Sequence, residues 1–275
     1  MKSALVLTFH GVSQNPTVSG SIMDPDAQRY VVSIDRFEQV ANMVPASRCC
    51  SVTEYIEKKS GNWIVLTFDD GLRSDFELAY PLLKKKGLKG TFFVTVRNIG
   101  SNGYTTIMEL KEMIDAGMEV GSHGLTHRYL LTMARKEAMK EIFDSKDELE
   151  QRINAKVESF APVGGHYRKW MIDTARATGF KAFATMVPGV TSLSKDFTIL
   201  RRNHIQSHHN YTYVEGLLRG DSHILCVNNI RYWCLYGLKS IFGLNNYDRL
   251  KASILGKFSR SFTEDHYAGS VKRTQ

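Results

Sequence analysis

Short apolar runs alternate along this chain with segments in which apolar residues recur every three or four positions. A short apolar run bounded by turn residues is typical of a buried strand, and the three-to-four spacing is typical of a helix with one buried face. The spacing predicts helices that include residues 34–43, 76–85, 107–115, 136–152 and 169–177. The apolar runs predict seven strands, at residues 5–9, 64–68, 91–95, 119–121, 159–161, 182–185 and 199–201.

Strands that alternate with helices favour β/α units and a largely parallel sheet. In the segment 76–85, the apolar residues Phe76, Tyr80 and Leu83 share one face, and Gly87 gives a signal for the end of a helix. Seven strands of this kind predict an α/β fold, a distorted (β/α) barrel rather than an open sheet. We expect this barrel to be a single domain over residues 1–230, followed by an extension at residues 231–275.

The first ten residues carry one positive charge and a short apolar run. The run is briefer than the apolar region of a secretory signal and no small-residue cleavage site follows, so we interpret it as a first strand. No uninterrupted apolar stretch reaches the about 18 residues of a membrane-spanning helix. Cys49, Cys50, Cys226 and Cys234 fit no common zinc spacing, which favours reduced thiols. Together these features predict a cytoplasmic protein.

The chain has a formal net charge of +8, and its excess is uneven. Residues 231–275 hold eight lysines and arginines against three acidic residues, interleaved with aromatic residues from Tyr232 to Phe262. This pattern suits a nucleic acid or an anionic membrane surface, and we favour peripheral association at the inner face of a membrane. A solvated tail, or one that packs on the body, would have the same composition. We expect no nucleic-acid partner, and no glycine-rich phosphate motif follows any predicted strand.

Two adjacent carboxylates, Asp69 and Asp70, follow a predicted strand and precede Gly71. Neighbouring side chains of a regular strand point to opposite faces, so both can share one site only where the strand ends. Gly71 supplies the backbone freedom for that end. In (β/α) barrels chemistry gathers at the carboxyl ends of the strands, where His10 and His123 are also predicted to lie. A turn with helix-capping aspartates is the alternative interpretation of this pair.

His123 and His127 lie four residues apart, as do the histidines of helical zinc proteases, but Gly124 stands where that motif needs a glutamate. Two imidazoles and one carboxylate leave open metal positions for water and a substrate oxygen. A bound metal lowers the pKa of its water, and a second carboxylate can take the proton from it. The residues therefore predict a hydrolytic metal site in which one aspartate is a ligand and the other a base.

Residues 67–71, Thr-Phe-Asp-Asp-Gly, and 122–127, Ser-His-Gly-Leu-Thr-His, resemble the first two motifs of the polysaccharide deacetylases, the NodB homology domain or carbohydrate esterase family 4. Residues 90–94 and 145–150 agree, and the resemblance covers roughly residues 1–205. It implies a distorted (β/α) barrel and metal-dependent removal of an N-acetyl group from a sugar. It also implies that Asp69 is the base and that Asp70, His123 and His127 bind the metal, with zinc as the default and cobalt, nickel or manganese as alternatives.

The third motif departs from the family pattern. Residues 159–165, Ser-Phe-Ala-Pro-Val-Gly-Gly, lack the arginine that often precedes the proline and tethers the base. The backbone N–H of Val163, between Pro162 and Gly164, can still hold an oxyanion. His166 stands beside this motif, where it could contact substrate.

The late Leu-x-His motif that supplies the usual acid is missing as well. Phe9-His10-Gly11-Val12 resembles the start of a subgroup in which the motif order is permuted, and this implies that His10 is the acid. We interpret His204, His208 and His209 as a loose cluster, and Arg201 and Arg202 as residues that could meet an anionic group of the substrate.

The sequence thus predicts a metal-dependent deacetylase acting on an acetamido sugar of a glycan or glycan precursor, lipid-linked or soluble. One alternative is a hydrolase of the same fold that acts on a non-sugar amide or cyclic imide. A second alternative, prompted by the missing arginine and late histidine, is a catalytically silent glycan-binding module. An iron oxygenase also uses two histidines and a carboxylate, but it does not need the second aspartate.

Overall fold

The computed structural model describes residues 2–14, 30–192 and 197–242, with side chains described to residue 237. Within these residues one nine-stranded sheet dominates. Eight of its strands run parallel in the order β10-β8-β7-β6-β5-β4-β1-β11, and β9 pairs antiparallel with β1. The short strands β2 and β3 pair separately. The strands are β1 Lys2–Phe9, β2 Val12–Ser13, β3 Val32–Ser33, β4 Gly61–Phe68, β5 Thr91–Val94, β6 Glu119–Ser122, β7 Ser159–Phe160, β8 Ala182–Ala184, β9 Thr191–Ser192, β10 Thr198–Leu200 and β11 Arg202–His204.

The parallel path closes almost completely. Its two edge strands, β10 and β11, are consecutive in the chain with only Arg201 between them. The predicted class, an α/β barrel, is therefore confirmed, and all seven predicted strands are present. The path holds one strand more than predicted, because β11 is polar and presents no apolar run.

Helices up to residue 219 pack against the sheet through their buried faces. The predicted helices lie within one residue of their expected bounds, with one exception. The helix predicted at residues 76–85 begins as a π-helical turn, Asp75–Ala79, and becomes α-helical only at Tyr80. Pro81 explains the change, because it has no N–H to donate to the preceding turn. The helices are α1 Ile34–Met43, α2 Val52–Glu57, α3 Tyr80–Lys85, α4 Ile107–Asp115, α5 Arg135–Ile153, α6 Lys169–Ala177, α7 Tyr211–Arg219 and α8 Ser222–Phe242.

The two faces of the sheet pack into two separate cores. On β1, Leu7 and Phe9 join the larger core beneath the helices, where the Phe9 ring stacks 5.3 Å from Phe68. The alternate residues Ala4 and Val6 join a smaller core inside the barrel. Successive strand residues point to opposite faces. At the carboxyl ends of the strands, the residues that continue the alternation of Ala4 and Val6 therefore point into the mouth of the barrel.

Contacts divide the chain into two units after Cys226. The first unit is the barrel. The second includes residues 227–242 of α8, and the remainder of the predicted extension, residues 243–275, lies outside the described residues. The predicted boundary at residue 230 stays a prediction. In the part of the chain that the structure describes, no helix is long and apolar enough to cross a membrane.

Candidate metal-binding and catalytic site

Three neighbouring strands deliver the first group of polar side chains to one end of the barrel. Thr8 of β1 lies opposite Thr67 of β4 and opposite His204 of β11. The backbone ladder continues past the strands, since Asp69 N donates to Phe9 O at 3.0 Å. His10 and Asp69 each stand two residues beyond a threonine, so they point to the same inner face. The structure brings these two predicted residues together, with His10 Nε2 3.6 Å from Asp69 Oδ2.

Asp70 turns toward the same mouth because the chain leaves the strand at this point. Its φ is +78° and that of Gly71 is +73°, so the regular strand alternation ends. The predicted break at the Asp-Asp-Gly sequence is therefore present. His127 also adopts a left-handed backbone, with φ +60°, and such conformations in non-glycine residues concentrate at functional sites.

Asp70, His123 and His127 form a compact set of possible metal ligands. Asp70 Oδ1 lies 2.9 Å from His127 Nε2 and 3.3 Å from His123 Nε2. Zinc bond lengths of about 2.0–2.1 Å place two atoms of a tetrahedral ligand set about 3.3 Å apart. One carboxylate oxygen and two imidazole nitrogens all lie within 4.8 Å of one another, so this donor set fits a divalent metal. All three are the residues that the sequence proposed as ligands.

Hydrogen bonds orient the imidazole of His123. Its Nδ1 lies 2.8 Å from the carbonyl oxygen of Ala161, in the loop after β7. An Nδ1–H that donates to this carbonyl leaves the Nε2 lone pair for a metal, which is the usual arrangement at histidine ligands.

Glu141 of α5 holds the loop that carries both candidate histidine ligands. This buried carboxylate accepts hydrogen bonds from Leu125 N and Thr126 N, each at 3.0 Å, and from the Thr126 hydroxyl. The chain after His123 can therefore turn sharply and present His127 beside Asp70. The sequence offered no sign of this contact, because Glu141 lies within an ordinary amphipathic helix.

Arg202 makes a bidentate ion pair with Asp69. The Nη1–Oδ1 and Nη2–Oδ2 distances are 2.6 and 2.9 Å, and the two side chains are 0% and 2% exposed. The arginine Nε donates to Thr185 O at 3.0 Å. Burial opposes ionisation of Asp69, but the guanidinium, together with His123 and His10, holds its pKa below the ordinary value.

This ion pair corrects two expectations. Arg202 cannot meet an anionic substrate group, because it is buried and its guanidinium is bound to Asp69. In place of the arginine missing before Pro162, Arg202 of β11 pairs with Asp69. Arg201 points elsewhere, and its Nε donates to Pro188 O at 3.0 Å.

His204 belongs to the site rather than to a separate histidine cluster. Its Nε2 lies 2.8 Å from His10 Nδ1, while the His208 and His209 rings pair with each other at 4.4 Å. Burial lowers the pKa of His10 despite the nearby carboxylate of Asp69. Burial, followed by His10 and Arg202, holds the pKa of His204 well below its ordinary value.

The predicted oxyanion segment forms a tight turn after β7. Pro162 precedes a 3-10 turn at Val163–Gly165, and His166 follows it. Gly164 has φ +68°, and a Cβ there would come within 2.4 Å of the Tyr129 ring. The turn thus stands at the barrel mouth just after Ala161, which contacts His123. The roles proposed for these residues stay predictions.

Asp75 is a further buried acidic residue, close enough to Asp69 and Asp70 for their charges to act on it. Among the described residues, neither carboxylate oxygen of this buried residue has a partner of ordinary hydrogen-bond geometry, and the backbone of Val12 gives it at most a weak hydrogen bond. Burial, together with the charges of Asp70 and Asp69, raises its pKa well above the ordinary value.

Comparison with known proteins gives a consistent picture. Residues 57–183 match the polysaccharide deacetylase family model. Over 146 residues the chain is 30% identical to YxkH of Bacillus subtilis, whose name places it among polysaccharide deacetylases, and the match covers 53% of this chain and 52% of YxkH. It is 24% identical over 225 residues to a poly-beta-1,6-N-acetyl-D-glucosamine N-deacetylase of Staphylococcus aureus, covering 72% of this chain and 78% of the relative.

The fold is likewise similar to that of a solved structure, the Streptococcus pyogenes deacetylase PplD in complex with acetate. The TM-score is 0.65 at 24% identity, over 79% of this chain and 97% of PplD. The chain spans about half the length of YxkH.

Proposed function

The chain carries a domain of the polysaccharide deacetylase family, and from this premise we propose that it is a metal-dependent deacetylase. Its substrate is an N-acetylated sugar of a glycan or glycan precursor. The observation that carries the proposal is the division of labour between two adjacent carboxylates. Asp70 faces His123 and His127, whereas Asp69 faces Arg202 and His10. One carboxylate is thus placed to bind a metal and the other to accept a proton.

Asp70, His123 and His127 would hold the metal, with zinc as the default for two imidazoles and one carboxylate. When bound, the metal would lower the pKa of a water molecule and polarise the acetamide carbonyl. Asp69 is the general base in this proposal. The ion pair with Arg202 supports that role, because it fixes the carboxylate and keeps it ionised at neutral pH.

His10 is the proton donor to the leaving amine in this proposal. Its Nε2 lies 3.6 Å from Asp69 Oδ2, so base and acid face the same reacting centre. The proton that Asp69 takes from water can return to His10 across this gap after each turnover. The backbone N–H of Val163, framed by Pro162 and Gly164, would stabilise the tetrahedral oxyanion, and His166 would contact the sugar.

The alternative of a catalytically silent glycan-binding module is no longer supported by the reasoning that prompted it. It rested on a missing arginine and a missing late histidine, but Arg202 pairs with Asp69, His10 lies beside Asp69, and His204 contacts His10.

Acetate release after chelation and metal add-back tests the proposal. Short N-acetylhexosamine oligosaccharides and a panel of cyclic imides would be compared as substrates. Wild type should release acetate only with metal, Asp69→Asn should lose at least about 100-fold in kcat, and His10→Ala should lose a similar factor. Asp115→Asn, at an exposed position on α4, is the matched control and should behave as wild type. Turnover of imides alone, or sugar binding without acetate release, would contradict the proposal.

We also propose peripheral association with an anionic membrane through α8. Val227, Ile230 and Trp233 recur every third residue of this helix and are 48%, 58% and 51% exposed. Large apolar side chains at this spacing, followed by a basic segment of sequence, suit the interface of a charged bilayer. This arrangement favours a lipid-linked substrate.

Vesicle sedimentation tests the membrane proposal. Wild type should sediment with phosphatidylglycerol vesicles and much less with phosphatidylcholine vesicles, and Ile230→Asp should reduce the bound fraction. Met108→Asp changes an equally apolar and 75% exposed residue of α4, so it serves as the control. Equal binding by both variants would refute a role for α8.

We propose a cytoplasmic location, supported by the four free cysteines, of which Cys226 and Cys234 are exposed. Exposed thiols persist in a reducing compartment. Cell fractionation with thiol labelling would test this, and recovery outside the inner membrane would contradict it.

A further inference from the structure

A second histidine stands directly behind His10. On one side of the His10 ring, Nδ1 lies 2.8 Å from His204 Nε2, and on the other side Nε2 lies 3.6 Å from Asp69 Oδ2. The three side chains form a line in which the middle imidazole has one nitrogen toward each neighbour. The contact with His204 therefore decides which nitrogen of His10 faces the reacting centre.

The barrel itself fixes the distance between the two imidazoles. Thr8 of β1 lies opposite His204 of β11, and Ile205 N donates to Thr8 O at 2.9 Å. His10 follows Thr8 by two residues on the same face, one step along the ladder from His204. The Tyr30 ring packs near both imidazoles, at 5.7 Å from His10 and 5.1 Å from His204.

We propose that His204 is a positioning residue for His10: its Nε2 accepts a hydrogen bond from His10 Nδ1–H, so the proton that His10 receives from Asp69 and donates to the leaving amine can be held only at Nε2. This inference rests on the proposed function of His10 as proton donor. In the donor step, the proton at His10 Nε2 passes to the leaving nitrogen as the C–N bond breaks and its electron pair remains on nitrogen. The hydrogen bond to His204 is unchanged throughout.

A histidine suits this position better than a carboxylate. A carboxylate behind His10 would orient the ring equally well, as in hydrolases with a histidine base. It would also add a negative charge to a mouth that already holds Asp69 and Asp70, where Arg202 pairs with Asp69 alone. Burial keeps His204 neutral, so it orients His10 without changing the charge balance of the site.

Two amide substitutions separate positioning from a merely structural role. Glutamine places its side-chain oxygen near the position of His204 Nε2, whereas asparagine carries the same amide one carbon short of it. We expect His204→Asn to lower kcat on an N-acetyl sugar about 10- to 100-fold with little change in KM, a part of the range for general acids. His204→Gln should restore most of this loss, and His208→Asn, at an exposed neighbouring histidine, is the control. Equal activity in His204→Asn and His204→Gln would overturn the proposal.

A second substrate tests whether His204 acts through the proton donor. Hydrolysis of 4-nitrophenyl acetate needs no acid, because the phenolate leaves unprotonated. His204→Asn should therefore keep the ester rate of wild type while losing the amide rate. A parallel loss on both substrates would overturn the proposal, since it would mean that His204 supports the fold or the metal ligands instead.

Nitrogen-15 NMR of the imidazoles gives a readout that does not depend on activity. The His10 Nδ1–H resonance should be protected from solvent exchange in the full-length wild type and in His204→Gln, and absent in His204→Asn. An unchanged resonance in His204→Asn would overturn the inference. Failure of the proposed function would appear differently, as a wild-type protein with this resonance but without acetate release.

Discussion

Replacing Arg202 by methionine should destabilise the protein far more than the loss of a surface ion pair does. Methionine keeps the length and apolar stem of the side chain but cannot donate to Asp69, which is left 2% exposed and uncompensated. Removing one partner of a buried ion pair costs about 3–5 kcal/mol. The matched control is Arg219→Met, which breaks a 2.7 Å pair with Glu215 on a 75% exposed side chain. Such a pair contributes about 0.5 kcal/mol or less.

Urea unfolding followed by tryptophan fluorescence measures both free energies. The double variant Arg202→Met/Asp69→Asn removes both charges, so it should be more stable than Arg202→Met alone, and this non-additivity identifies the pair as the cause. The pKa of Asp69 is lowered in the folded state, so the contribution of the pair is present above its ordinary value of 3.8 and is lost as the pH falls through the folded value. The difference between wild type and Arg202→Met should shrink accordingly at acid pH. An Arg202→Met protein as stable as Arg219→Met at neutral pH would refute this reasoning.

Three further predictions concern the surroundings of Asp69. Zinc should raise the melting temperature of wild type but not of Asp70→Asn, as measured by calorimetry, and an equal rise in both would remove Asp70 from the ligand set. Glu141→Ala should weaken zinc binding about 10-fold in a chelator competition, because the loop before His127 loses its anchor, whereas Glu141→Gln should retain most of the affinity. Burial raises the pKa of Asp75, so wild type loses stability as the pH rises from the ordinary value of 3.8 through the folded value; Asp75→Asn should lack this part of the slope in urea unfolding, and identical slopes would contradict it.

Local patterns in the sequence determined most of the fold. The bounds of Ile34–Met43, Ile107–Asp115 and Lys169–Ala177 follow from helical periodicity and agree with the structure to the residue. The strands that carry Asp69 and His123 are short apolar runs, and their alternation with helices predicts a parallel barrel. The family resemblance of two motifs implied the ligand set, because each motif holds its side chains within six residues of chain.

Only the tertiary structure decided which side chains surround Asp69. Arg202 lies 133 positions along the chain from Asp69, and His204 lies 194 positions from His10. Neither contact has a local spacing, and β11, which delivers both residues, shows no apolar run because its own three residues are polar or charged. These side chains meet because a parallel barrel places its first and last strands side by side and in register. These contacts form only when strands distant in the sequence have come together, so the partners of Asp69 and His10 belong to the assembled sheet and to no segment of the sequence.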